Sequence, residues 1–215
     1  MKAIMTETTR KAADIVGVLD CSGSMDTMGS EPPQAWNNFI CDQQKVGGDE
    51  SHASFYTFNE NVTTVYTNVL LKDVQEYKNY VANGCTALYD AIRLAVKNQL
   101  ATGRDKNVVF VIITDGLDNS SDGPTDKEFR TSKQEVAHLL AKMEKENNWQ
   151  VVYLAADQDA FSVGSGYGAK AQKCANFGKC RGGLLTAMRQ LSATASAYRA
   201  TSRHVDVPDE IDLTK

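Results

Sequence analysis

Ile15-Val16-Gly17-Val18-Leu19-Asp20-Cys21-Ser22-Gly23-Ser24-Met25 decides the reading of this chain. Its first half is a nearly continuous apolar run that stops on an acid. Continuous rather than alternating hydrophobicity is how a strand reads when both faces of its sheet are covered, the habit of parallel strands in α/β domains. Its second half is a short glycine-containing loop that carries one carboxylate and two hydroxyls. In an open parallel sheet, ligand sites lie outside the carboxyl ends of the strands. The loop therefore falls where a ligand site is expected.

Two further runs repeat the pattern. Val108-Val109-Phe110-Val111-Ile112-Ile113 stops at Thr114-Asp115, and Val151-Val152-Tyr153-Leu154-Ala155 stops before Asp157. Helical spacing lies between and after them. Trp36, Phe39 and Ile40 share a face behind Pro32-Pro33, which suit a helix start. Leu88, Ala91, Ile92, Ala95 and Val96 form a second stripe, Val136, Leu139, Leu140 and Met143 a third, and Leu184, Leu185, Met188, Leu191 and Ala195 a fourth. Such stripes pack on a sheet. Ala53–Phe58 and Asn61–Tyr66, separated by Asn59-Glu60, read as a hairpin-like pair that adds one antiparallel edge strand. The expected fold is α/β: a doubly wound, mostly parallel sheet with helices on both faces. The domain is expected over residues 13–202, after an N-terminal extension of residues 1–12. Residues 203–215, polar, acidic and proline-containing, read as an extended or disordered tail, with a docking segment as the alternative.

Composition limits the function classes. With 215 residues, 42% hydrophobic and 23% charged, the chain suits one soluble domain with a real core. A net charge of −4 argues against binding a nucleic-acid backbone. The N-terminal stretch lacks the apolar core of a secretion signal, and no stretch is long and apolar enough to span a bilayer. Five cysteines, an odd number without zinc-like spacing, point to a reduced, cytoplasmic protein in which Cys174 and Cys180 remain thiols.

Two more segments are expected at the carboxyl edge: the loop Gly84-Cys85-Thr86-Ala87-Leu88, and Thr114-Asp115-Gly116 at the end of the Val108 run. Together the three loops supply Asp20, Ser22, Ser24, Thr86 and Asp115. All five offer hard oxygen ligands, which suit Mg²⁺, with Mn²⁺ and Ca²⁺ as alternatives, and do not suit zinc. A set with only two carboxylates leaves coordination positions open.

This constellation resembles the metal-ion-dependent adhesion site of the von Willebrand factor A family. The family's Asp-x-Ser-x-Ser element matches Asp20, Ser22 and Ser24, its separate Thr matches Thr86, and its second Asp matches Asp115. The resemblance extends over roughly residues 12 to 200, in the family's order. It implies that the hydroxyls bind the ion directly, that the acids often act through water, and that a partner's acidic side chain completes the sphere. Looser likeness, in the stretch around residues 155–168 and the alanine-rich last helix, points to small intracellular bacterial and phage proteins of this kind.

Other residues read more plainly. Asp90 is either a group behind Thr86 or a partner of its helix dipole. Asp118 and Asp157 read as turn residues at the same edge, with a supporting place behind the ligands as the alternative. Cys21 and Cys85 read as small buried hydrophobes. Gly164-Ser165-Gly166-Tyr167-Gly168 lacks the spacing and the lysine of a phosphate loop and reads as a turn. His52, His138 and His204 lack ligand spacing, and no catalytic residue is assigned. The resulting expectation is a non-enzymatic, metal-dependent protein-binding module whose partner, another protein or a second copy, presents Asp or Glu. The competing expectations are a metal-dependent, phosphatase-like hydrolase at the same edge and a structural assembly subunit.

Overall fold

A computed structural model describes residues 13–46, 50–105, 107–121, 133–156, 173–179, 182–199 and 211–214. The strand read at Ile15 is β1 (Asp14–Asp20), buried at every position as its unbroken apolar run requires. The other two apolar runs form β4 (Val108–Thr114) and β5 (Gln150–Ala156), which are equally buried. The hairpin pair forms β2 (His52–Phe58) and β3 (Val62–Leu70), and β6 (Cys174–Phe177) completes six strands. Their order is β3-β2-β1-β4-β5-β6. All neighbours are parallel except β2 and β3, so β3 is the antiparallel edge expected from the sequence.

Among the described residues, four helices cover the sheet: α1 (Glu31–Val46), α2 (Leu88–Ala101), α3 (Lys133–Asn147) and α4 (Gly183–Arg199). Strand side chains alternate between two cores. Ile15, Leu19, Val109, Val111 and Val152 meet α1 and α4 through Trp36, Phe39, Met188 and Leu191. Val16, Val18, Phe110, Ile112 and Val151 meet α2 and α3 through Leu88, Ile92, Val136 and Leu140. Each core holds one fully buried tryptophan. Trp36 stacks on Phe55 with ring centroids 4.5 Å apart, and Trp149 stacks on Phe110 at 5.5 Å.

Gly17 makes the first of these possible. A Cβ at that position would come within 2.2 Å of the Trp36 ring. Any side chain there would lift the indole off the sheet.

The sequence reading missed β6, a four-residue strand that buries Phe177 but is too short to show a period. Of the tail, residues 211–214 are described, and they dock on the domain. Ile211 and Leu213 are buried in the α1/α4 core, the Ile211 N–H donates to Gln150 Oε1 at 3.1 Å, and the Leu213 carbonyl accepts from Gln190. The extension at 1–12, Asp157, the 164–168 glycine stretch, Cys180, His204 and the rest of the tail lie outside the described residues.

Candidate metal centre

β1 and β4 are neighbours, but the chain runs outward from them in opposite directions, to β2 and β3 on one side and to β5 and β6 on the other. This is the switch point at which an open α/β sheet forms a crevice. Asp20 ends β1 there and Thr114 ends β4 beside it. The Thr114 hydroxyl donates to Asp20 Oδ2 at 2.6 Å and accepts from the Gly116 N–H at 3.1 Å. The Ser22 N–H donates to Asp20 Oδ1 at 2.7 Å. Asp20 is fully buried.

The loop after β1 is held on both sides. It turns through a short 3-10 segment (Gly23–Met28) whose Met25 and Met28 sink into the core. The Gly23 N–H donates to the Gly84 carbonyl at 3.0 Å, and the Asn83 N–H donates to the Cys21 carbonyl at 2.8 Å. Gly84 has φ +74°, a left-handed conformation that favours glycine. These bonds leave the serine hydroxyls facing inward. Ser22 Oγ and Ser24 Oγ are 3.1 Å apart, and the Ser24 hydroxyl donates to Asp115 Oδ1 at 2.7 Å.

Thr86 arrives from the start of α2. Its N–H donates to Asn119 Oδ1 at 2.8 Å, and its carbonyl accepts from the N–H groups of Asn119 and Ser120. Its hydroxyl backs onto Gly116, 3.7 Å from where a Cβ would stand. The structure thus brings all five residues singled out in the sequence to one crevice.

The electrostatics are unbalanced. Burial pushes the Asp20 carboxyl up to about 6, against the hydrogen bonds from Thr114 and Ser22 that favour its charged form. The nearby Asp115 charge adds to the rise. Among the described residues no cation pairs with Asp20. Asp115 does have one: Lys179, just beyond β6, places Nζ 2.8 Å from Oδ2. Among the described residues no three His, Cys, Asp or Glu side chains gather as a metal site. A cation here would depend on the hydroxyls. Two buried carboxylates and three hydroxyls in one crevice fit a hard divalent ion.

Residues the sequence reading passed over prove to be the framework. Thr114 lies inside the quoted segment, but a strand-end threonine carries no signal of its own. Asn119 and Lys179 reach the site only through folding. Asp118 does more than turn the chain: it accepts from the Tyr89 N–H at 3.0 Å, capping the start of α2. The Asp90 carboxylate lies 3.7 Å from the Arg93 guanidinium, and its N–H donates to Ser121 Oγ at 3.1 Å. The reading of Cys85 as a buried hydrophobe is corrected, because its side of the loop faces solvent. Cys21 is half-buried, donates to the Phe58 carbonyl at 3.1 Å, and burial pushes its thiol up to about 11. A thiol so far from ionisation is not a reactive nucleophile.

The sequence profile of the von Willebrand factor type A domain matches residues 14–159, from β1 through the end of β5. The chain belongs to the von Willebrand factor type A family. Solved structures share its fold. The vWF domain of the type V pili tip protein Mfa5 from Porphyromonas gingivalis superposes with a TM-score of 0.65 at 9% identity, covering 92% of this chain and 99% of that one. A von Willebrand factor type A protein from Catenulispora acidiphila gives 0.59 at 17% identity, over 87% of this chain and 43% of its own. Proximal thread matrix protein 1 from the mussel byssus, in a form with a zinc-occupied MIDAS motif, gives 0.60 at 19% identity, over 87% and 46%. The chain spans less than half the length of these last two structures. No match was found among curated proteins. Among the described residues of this type A domain, no helix is long and apolar enough to cross a membrane.

Proposed function

We propose that this type A domain is a non-enzymatic, divalent-metal-dependent protein-binding module in the cytoplasm. Asp20, Ser22, Ser24, Thr86 and Asp115 would hold the ion, and a partner's Asp or Glu, from another protein or a second copy, would complete its sphere. The observation that carries this reading is Asp20, a fully buried carboxylate beside a second carboxylate, whose donors among the described residues are all uncharged. The fold maintains a negative charge in low dielectric, and no cation among the described residues pairs with Asp20. Bound Mg²⁺ would supply a hard Lewis acid with open positions for oxygen ligands. Ser22, Ser24 and Thr86 sit on loops cross-tied by backbone bonds, so their hydroxyls need little reorganisation to serve as ligands.

The oxygen-only set is the argument for Mg²⁺, with Mn²⁺ and Ca²⁺ next. Zinc belongs in the test as well, because the mussel protein carries it in its MIDAS motif. A hydrolase reading gains nothing from the geometry. Both Asp20 oxygens are engaged by Ser22 and Thr114, His52 starts β2 at the far end of the sheet, and His138 lies on the exposed side of α3.

The test is calorimetric titration of Mg²⁺, Mn²⁺, Ca²⁺ and Zn²⁺ into EDTA-stripped protein, beside Asp20→Ala. Saturable 1:1 binding lost in the variant is expected; no binding to the wild type would sink the reading. Selection from a displayed peptide library in Mg²⁺ buffer with EDTA elution then checks the partner. Enriched peptides lacking Asp and Glu would overturn the carboxylate rule.

A further inference from the structure

Lys179 places a positive charge at one of the two carboxylates the ion would use. Its Nζ lies 2.8 Å from Asp115 Oδ2, while Asp115 Oδ1 accepts from Ser24. The Asp115 side chain is fully buried, whereas that of Lys179 is 31% exposed, so the lysine is the member of the pair able to leave. It also has somewhere to go. Lys179 lines a cleft of about 510 Å³ beside the site, shared with Asp26, Ser30, Glu31 and Gln34. Glu31 is already occupied, accepting from the N–H groups of Gly182 and Leu185 at the start of α4. Asp26 is exposed at the cleft. A lysine ammonium on a flexible four-carbon stem can exchange one carboxylate for another at little cost.

We infer that Lys179 is the site's internal cation, holding Asp115 while the divalent ion is absent and yielding to it when the ion binds. The inference rests on the metal-binding reading above. Two like charges held around Asp115 within a few ångströms in a buried crevice repel each other strongly. Ion binding therefore works against the Lys179–Asp115 pair, and metal affinity is set below what the ligands alone would give. The pair also restrains Asp115 and its bond to Ser24 in the metal-free protein, so the crevice keeps its shape while empty of metal.

The test uses the full chain with Lys179→Met, which keeps the apolar stem, and Lys179→Arg, which keeps the charge. Mg²⁺ is titrated into EDTA-stripped protein by calorimetry, and melting temperature is read in EDTA and in saturating Mg²⁺. Expected are a fivefold or greater gain in Mg²⁺ affinity for Lys179→Met and a value within about twofold of wild type for Lys179→Arg. The Met variant should also melt lower than wild type in EDTA, with the difference closing in Mg²⁺. If Mg²⁺ binds the Met variant no better than wild type, the lysine supports the bound state or stands aside from it, and the inference fails while the metal site stands. If neither protein binds Mg²⁺, both readings fall together.

Discussion

Strand β1 carries a buried aspartate at each end, and the two are treated in opposite ways. At the amino end, the Arg104 guanidinium grips Asp14 with both arms, Nε and Nη2 each 2.9 Å from an oxygen. Gln99 and the His52 N–H add further donors to the same carboxylate. At the carboxyl end, Asp20 is just as buried, and its donors among the described residues are uncharged: the Ser22 N–H and the Thr114 and Ser22 hydroxyls. A carboxylate neutralised by the fold reads as structural. One left charged and uncompensated in the interior costs stability, and it is retained where something from outside brings the missing charge.

The sharpest way to break this comparison is to remove each carboxylate in turn. Asp14→Ala strands a half-buried guanidinium and frees the Gln99 amide, and should cost about 3 kcal/mol in urea unfolding, with or without Mg²⁺. A loss below about 1 kcal/mol would mean that Asp14 is no more structural than Asp20.

Asp20→Asn should move the other way. An acid whose folded pKa is raised from 3.8 to about 6 holds its proton more tightly folded than unfolded. Stability of the metal-free protein therefore falls as pH rises from about 4 to about 6, and the cost is fully present above that. Asn removes the cost, so the metal-free variant should gain on the order of 2 kcal/mol at pH 7 and lose the pH dependence. Saturating Mg²⁺ should stabilise the wild type and leave the variant unchanged. A variant less stable than wild type in EDTA at pH 7 would contradict the account of Asp20.

Smaller effects sharpen the comparison. Asn119→Ala frees the Thr86 N–H and should cost about 1 kcal/mol of stability. It should also weaken Mg²⁺ several-fold in calorimetry, since Thr86 is then less well held. Arg104→Lys replaces a two-armed contact by a point charge and should cost about 1 kcal/mol, with no change in metal affinity. An altered Mg²⁺ affinity in Arg104→Lys would show that the two ends of β1 are coupled.

What could be read in advance followed the same division. β1, β4 and β5 are legible because doubly covered strands must be apolar throughout, and each announces its own end by stopping at a polar residue. The five candidate ligands are legible because they sit on short loops directly after such strands or before a helix. Their supports are not. Asn119 and Lys179 reach the crevice only when segments distant in sequence fold together, and Thr114, though it ends the β4 run, carries nothing that marks it as the partner of Asp20. β6 is too short to show a period. Ile211 and Leu213 look like stray hydrophobes in an acidic tail until the groove that receives them exists.

The chain has two tryptophans, and the sheet lies between them. Trp36 rests over Gly17 in the layer of α1 and α4 and donates to the Tyr66 hydroxyl at 3.1 Å. Trp149 sits in the layer of α2 and α3 and donates to the Asp105 carbonyl at 2.7 Å. Each layer thus carries its own fluorophore. Single-tryptophan versions made by Trp36→Phe and Trp149→Phe would let emission follow the two halves of the molecule separately, one with the first loop of the site and the other with Thr86.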